Sequence, residues 1–277
     1  MYWLIFYNLK NGSKILKSFL ISLSIIYSLI YLSSIIFNIN LIKLAELFFE
    51  QSTPIKHWDI GDLWAFTLVA LIGLEWNNFK FKNWLITGSG LIFLVLSNAR
   101  SAYLSLALGL GYIVAKKTGS SKLKKTIIIS LISIIAGLFI FSSFGKTTLF
   151  DRPYYFQSIE SFAKHPLGIG MGNFKQIATE YRLKDPNNIS FSIYTHNIFL
   201  EALSGVGIFS ILFLIFLIYV ARDILKENAG GIAWGAVLIA ILINFMFDTS
   251  YTIPGLVWIL FMSLGVFHSK QRSLYGS

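Results

Sequence analysis

Four short stretches carry the residue types from which an anion-binding or acid–base site can be assembled. In Ser97-Asn98-Ala99-Arg100-Ser101 an arginine sits between two apolar segments. Its charge is costly there unless it is paired or wet. Such an arginine either snorkels to the membrane–water interface or uses its planar fork to grip phosphate oxygens two at a time. The small neighbours Ser97, Ala99 and Ser101 leave room for a ligand. Phe150-Asp151-Arg152-Pro153 supplies a second guanidinium, which is either a phosphate contact or a loop charge paired with Asp151.

The third stretch, His165-Pro166-Leu167-Gly168-Ile169-Gly170-Met171-Gly172-Asn173, alternates glycines. Alternating glycines suit either a nest of backbone N–H groups facing an anion or a tight turn that returns to the membrane surface. No strand–turn–helix unit surrounds them, which excludes a dinucleotide fingerprint. His165 reads as a loop residue. In the fourth stretch, Tyr194-Thr195-His196-Asn197, the histidine stands at the mouth of an apolar run. A helix N-terminus disfavours imidazolium and so helps to keep the ring a neutral base near pH 7. Glu201, about a turn and a half further on, acts in the opposite sense. The other histidines, His57, His165 and His268, are scattered and there is no cysteine, so neither a metal nor a cofactor is expected.

Composition says what must hold these residues. Hydrophobic residues make up 55% of the 277 positions and charged ones 13%, with a mean hydropathy of +0.68. A soluble domain of this length cannot hide so much apolar surface in one core. Eight apolar stretches approach the roughly 20 residues that cross a bilayer: about 15–37, 60–76, 83–98, 101–116, 125–144, 197–220, 231–247 and 253–268. Several are short and should tilt or thin the bilayer. At Asn98–Ser101 almost no linker separates two of them, which fits either a tight helical hairpin or a broken helix. The expected architecture is all-α: a single polytopic membrane domain over 1–277 with about eight transmembrane helices. The stretch from Met1 to Lys17 reads as the approach to an uncleaved first span.

Lys and Arg orient the spans. With the N-terminus inside, the cytoplasmic segments hold Lys10, Lys14, Lys17, Lys80, Lys82, Lys116, Lys117, Lys122, Lys124, Lys125, Arg222, Lys226, Lys270 and Arg272. Most acids fall outside: Glu46, Glu50, Asp59, Asp62, Asp151, Glu160, Glu180, Asp185 and Asp248. Both termini are then cytoplasmic, and residues 145–195 form one large extracytoplasmic loop. Loops beyond about 15 residues usually serve a function when folded. Within this one, 153–164 suits a short amphipathic helix with Pro153 in its first turn and Tyr155, Ile159 and Phe162 on one face. The net charge of +10 is spread between apolar segments and forms no basic stripe, which argues against nucleic acid. It fits anionic lipid head groups and a phosphate-bearing substrate.

Taken together, SNARSAYLSLALGL, DRPYYFQSIESFAKHPLGIGMGNF and THNIFLEALSGVGIFSILFL resemble the C-terminal half of the O-antigen ligase and polymerase family, the lipopolysaccharide ligase-like membrane glycosyltransferases. The resemblance covers about residues 90–220. It implies an enzyme of cell-envelope polysaccharide biosynthesis in the bacterial cytoplasmic (inner) membrane. Without metal or cofactor, such an enzyme moves glycan from an undecaprenyl-diphosphate carrier to an acceptor hydroxyl on another glycan or glycolipid, at the periplasmic face. By resemblance, Arg100 and Arg152 hold the diphosphate, and His196 activates the acceptor as general base. Gly168, Gly170, Gly172 and Asn197 form a supporting loop.

Two departures stand out. The family usually has about a dozen spans, so the chain is expected to lack N-terminal ones. Asp151 also stands where the family commonly has glycine. The competing readings are a transporter or flippase of lipid-linked sugars, which predicts inverted repeats and deeply placed charges, and an inactive truncated family member.

Overall fold

A computed structural model describes residues 11–37, 57–117, 152–184, 192–227 and 231–275, with single positions at 129, 133 and 137. Among these residues every regular element is helical. In chain order they are α1 (Gly12–Phe37), α2 (His57–Leu74), α3 (Phe81–Ser97), α4 (Arg100–Lys116), α5 (Pro153–Lys164), α6 (Phe174–Lys184), α7 (Ile198–Val206), α8 (Ser210–Lys226), α9 (Ile232–Phe247) and α10 (Pro254–Tyr275). Short 3₁₀ turns cover Gly207–Phe209 and Ser250–Thr252. Apart from those three positions, the apolar run at 125–144 lies outside the described residues, as does Asp151. The other seven apolar runs each coincide with helix. Two stretches, Gly12–Ser33 and Ile198–Lys226, are long and apolar enough to cross a membrane, and Phe81–Ser97 and Ile232–Phe247 are shorter apolar helices.

The chain forms two compact units. The first comprises residues 1–142, 227–241 and 255–277, and the second 143–226 and 242–254. At the centre of the first is α2, which is buried on all sides from Asp59 to Gly73. Its sequence, apolar around the whole circumference, is that of a helix enclosed by others. Helices α1, α3 and α4 each pack on it. Asp59 and Asp62, expected on the outer side, lie in the first turns of α2, and Asp62 is fully buried.

Small residues bring these helices together. Gly61 lies against Ser97 and Ala99, Gly90 against Trp64 and Leu68, Gly109 against Val69, and Gly73 against Ala233 and Ile113. These pairs run in opposite order along α2 and α3 but in the same order along α2 and α4. Helices α3 and α4 are therefore antiparallel, which decides the tight break between them in favour of a hairpin. Asn98 turns the chain with φ 47°, the left-handed conformation that asparagine tolerates better than most residues. Hydroxyl pairing adds to the contact. Trp64 Nε1 donates to Ser28 Oγ at 2.8 Å, Ser24 Oγ and Thr67 Oγ1 are 2.8 Å apart, and Trp234 Nε1 donates to Ser13 Oγ at 2.8 Å.

The faces of α3 are inverted relative to a soluble helix. Asn83, Thr87, Gly90 and Ser97 point inward, whereas Phe81, Trp84, Leu85, Ile92, Val95 and Leu96 are exposed. In lipid the apolar exterior costs nothing, and association depends on close packing of small and polar residues. This packing has a direct test. Gly109→Leu should disrupt the bundle, because even a β-carbon there comes 2.8 Å from Val69 Cγ2, whereas Gly111, with nothing within 4 Å, should accept Leu. Thermal unfolding in detergent should separate the two variants clearly.

In the second unit α5 and α6 pack on each other and on α7, which leads through the 3₁₀ turn into α8. Helix α5 occupies the expected span, with Pro153 at its start. Its buried face differs from expectation. Gln157, Ser158 and Ser161 are buried, and Ile159 is exposed with Phe156. The cause lies in the neighbour: Ser158 Oγ donates to the Leu200 carbonyl at 2.7 Å, so α5 presents hydroxyls to the backbone of α7.

Candidate functional site

Arg152, Tyr154 and His196 form a contiguous stack in the second unit. Arg152 directly precedes α5 and is buried, with Nη1 donating to the Phe247 carbonyl at 3.0 Å. Its guanidinium carbon lies 5.8 Å from the centre of the Tyr154 ring, within cation–π range. On the other side, Tyr154 stacks on the His196 imidazole with centroids 4.9 Å apart and planes 28° from parallel. The Tyr155 hydroxyl donates to the His196 carbonyl at 3.5 Å. Burial pushes the Tyr154 hydroxyl up to about 12, against the opposing pull of Arg152, and raises Tyr155 in the same way. Both phenols therefore stay protonated at neutral pH and serve as donors, not bases.

The backbone holds His196 in place. Its φ of 53° lies in the left-handed region, a local cost of about 1 kcal/mol for an L-residue. An outlier of this kind persists where its surroundings over-determine it, and here they do. Asn197 caps α7, its Oδ1 accepting from the N–H of Phe199 at 2.9 Å and of Leu200 at 3.0 Å. Its Nδ2 donates to the Met246 carbonyl at 3.1 Å. On the preceding side, Thr195 N–H donates to Glu201 Oε2 at 3.0 Å, and Thr195 Oγ1 donates to the Asn197 carbonyl at 2.8 Å. The Tyr251 hydroxyl donates to the same Glu201 oxygen at 3.2 Å. Glu201 thus braces the backbone beside His196. Asn197→Ala removes the cap and the tie to Met246 together and should cost about 2 kcal/mol, measurable as a fall in thermal stability.

Tyr154 and Tyr251 are the residues that sequence reasoning missed as parts of the site, and Glu201 was read only for its effect on the His196 charge. For Glu201 a signal existed, since a carboxylate in an apolar helix marks a satisfied or functional position. Tyr251 gives no such signal, because it comes from a separate turn. Asp248 belongs to that turn as well and is near enough to act on both Tyr154 and Tyr155.

The glycine stretch makes a turn clamped to the end of α7. Gly168, Gly170 and Gly172 have φ of 87°, 92° and 79°. Ile169 N–H donates to Ser204 O at 2.9 Å, Gly170 N–H to Gly205 O at 2.8 Å, and Ile208 N–H to Pro166 O at 2.8 Å. Gly168 N–H donates to His165 O at 2.8 Å. An anion nest needs these N–H groups, and they are already committed to carbonyls. The stretch is a turn strapped to the helix break at Gly207.

Arg100 opens α4 in the first unit, beside the hairpin turn. Its neighbour Ser101 donates from Oγ to Asp62 Oδ1 at 3.4 Å. This end of the bundle therefore combines Arg100 with the buried carboxylates of α2.

These features together are a helical protein with exposed apolar helix faces, carrying an imidazole stacked on a tyrosine that also lies beside a buried guanidinium. Residues 85–215 match the family model described as O-antigen ligase. The match runs from α3 into α8 and includes Arg100, Arg152, the glycine turn, His196 and Asn197. No curated protein matches the chain.

Proposed function

We propose that the protein transfers glycan from an undecaprenyl-diphosphate carrier to an acceptor hydroxyl, as an O-antigen ligase or a surface-polysaccharide polymerase. The observation that carries this reading is the Arg152–Tyr154–His196 stack within the family-matched stretch. His196 takes the proton of the acceptor hydroxyl as its oxygen attacks the anomeric carbon. The bond from that carbon to the diphosphate oxygen breaks, and the carrier departs as the diphosphate. Arg152 stabilises the charge that develops on the leaving group, and Arg100 is the second guanidinium assigned to it. No metal enters this scheme, because two arginines supply the positive charge.

The proposal includes about eight spans with both termini cytoplasmic, so that His196 faces the periplasm. The functional test is carried out in cells. Arg100→Ala and His196→Ala should each abolish attachment or elongation of surface glycan while membrane insertion is retained. Full-length glycan on cells carrying both changes would refute the catalytic assignment.

A further inference from the structure

Helix α8 fixes a level in the bilayer. From Gly207 to Lys226 the chain rises about 30 Å at 1.5 Å per residue, one hydrocarbon thickness. Ile211, Leu212, Ile215 and Ile218 are exposed along its length, as lipid contact requires. Arg222 and Lys226 occupy its C-terminal end, where basic side chains mark one membrane boundary. One hydrocarbon thickness measured back from Lys226 ends at the Gly207 break, within the apolar stretch Ile198–Lys226.

The α5–α6 hairpin is bound to that break by its tip. Helix α5 runs alongside α7 in the same direction, because Tyr155 pairs with His196, Ser158 with Leu200, and Pro166 with Ile208. Helix α6 returns, with the Tyr181 hydroxyl bonded to Glu160. The tip between them exposes two large apolar side chains, Leu167 at 74% and Met171 at 62%. Beside them at the break, Ile208 is 51% exposed and Phe209 59%. The stems differ in character, since α6 turns Lys175, Gln176, Thr179 and Glu180 outward. The polar face of α6 needs water, although Phe156, Ile159 and Leu183 are also exposed along the stems.

We infer that the tip of the α5–α6 hairpin is a membrane anchor, with Leu167 and Met171 entering the outermost hydrocarbon of the leaflet on the His196 side. The occupant is the bilayer itself, because the apolar tip is continuous with the lipid-facing surface of α8. Lys164 and Lys175 flank the tip, at the height of anionic head groups. A consequence follows for the base. His196 sits at the far end of α7, so the anchored hairpin holds it no more than about 13 Å from the hydrocarbon boundary. The anchor is independent of which glycan, if any, is transferred.

The absence of cysteine makes the test direct. Single variants Leu167→Cys, Met171→Cys, Ile215→Cys and Glu180→Cys of the full chain are labelled with a nitroxide and reconstituted in phosphatidylcholine–phosphatidylglycerol vesicles. Accessibility to oxygen and to a water-soluble nickel chelate is then compared. Positions 167 and 171 should favour oxygen several-fold, as 215 does, while 180 favours the nickel chelate. Grouping of 167 and 171 with 180 would overturn the anchor. So would shielding from both reagents, which would mean that protein, including a second copy of the chain, covers the tip.

Discussion

His196→Ala should lower glycan transfer by a factor on the order of 10²–10⁴, the usual contribution of a positioned general base, with helical content and membrane insertion unchanged. The folding half of this expectation rests on how the residue is held. The main-chain contact of His196 uses its carbonyl, which accepts from Tyr155, and the caps on either side belong to Thr195, Asn197 and Glu201. These particular bonds do not use the imidazole, which stacks on Tyr154. The left-handed backbone at φ 53° complicates a simple alanine exchange, because alanine bears the same local strain without the ring that stacks on Tyr154. His196→Asn resolves the ambiguity. Asparagine adopts this conformation readily but cannot take a proton near neutral pH. Equal loss in both variants assigns the effect to proton transfer. Retention of activity in His196→Asn alone would make the residue a backbone device, and the base would have to be sought elsewhere.

Gly207→Ala should be the most damaging substitution of a surface-proximal glycine, costing more than about 3 kcal/mol. Its φ of 61° with ψ of −134° is open essentially to glycine alone. A β-carbon there would meet the Pro166 carbonyl oxygen, Gly168 N at 2.5 Å and the Leu167 carbonyl carbon at 2.5 Å, all backbone atoms that cannot swing aside. Relief of the clash breaks the strap made by Ile169, Gly170 and Ile208 N–H groups. Gly168→Ala attacks the same contact from the other side, against the Gly205 carbonyl. Gly172 provides the comparison. Its φ is also positive, at 79°, but nothing lies within 4 Å of an added β-carbon, so Gly172→Ala should cost only the left-handed penalty of about 1 kcal/mol. Thermal unfolding in detergent should rank the three with Gly207→Ala and Gly168→Ala far below Gly172→Ala. Near-equal values would mean that the strap contributes little.

That contrast shows how the sequence was informative and where it was silent. Helix positions were legible, because a lipid solvent demands long apolar runs with every backbone group bonded internally. α5 was placed to the residue by Pro153 and the amphipathic pattern that follows it. Its orientation was not legible, since which face is buried depends on the carbonyl of Leu200 across the loop. Gly168, Gly170 and Gly172 look alike in sequence, and only the end of α7 distinguishes them. Likewise, Arg152 and His196 could be picked out by type, but Tyr154 joins them through ring stacking and Tyr251 through Glu201, relations that no spacing encodes. That Asp59 and Asp62 are buried in the first turns of α2 was not legible, because it depends on the helices packed around them.

The most direct measurement uses the purified chain in vesicles that contain a polyprenyl-diphosphate-linked oligosaccharide, with an acceptor glycan and a metal chelator present. Release of the polyprenyl diphosphate should depend on the acceptor, match the glycosylated product mole for mole, and disappear in His196→Asn. Movement of intact carrier across the bilayer with no product, equal in wild type and variant, would contradict the account and identify a transporter.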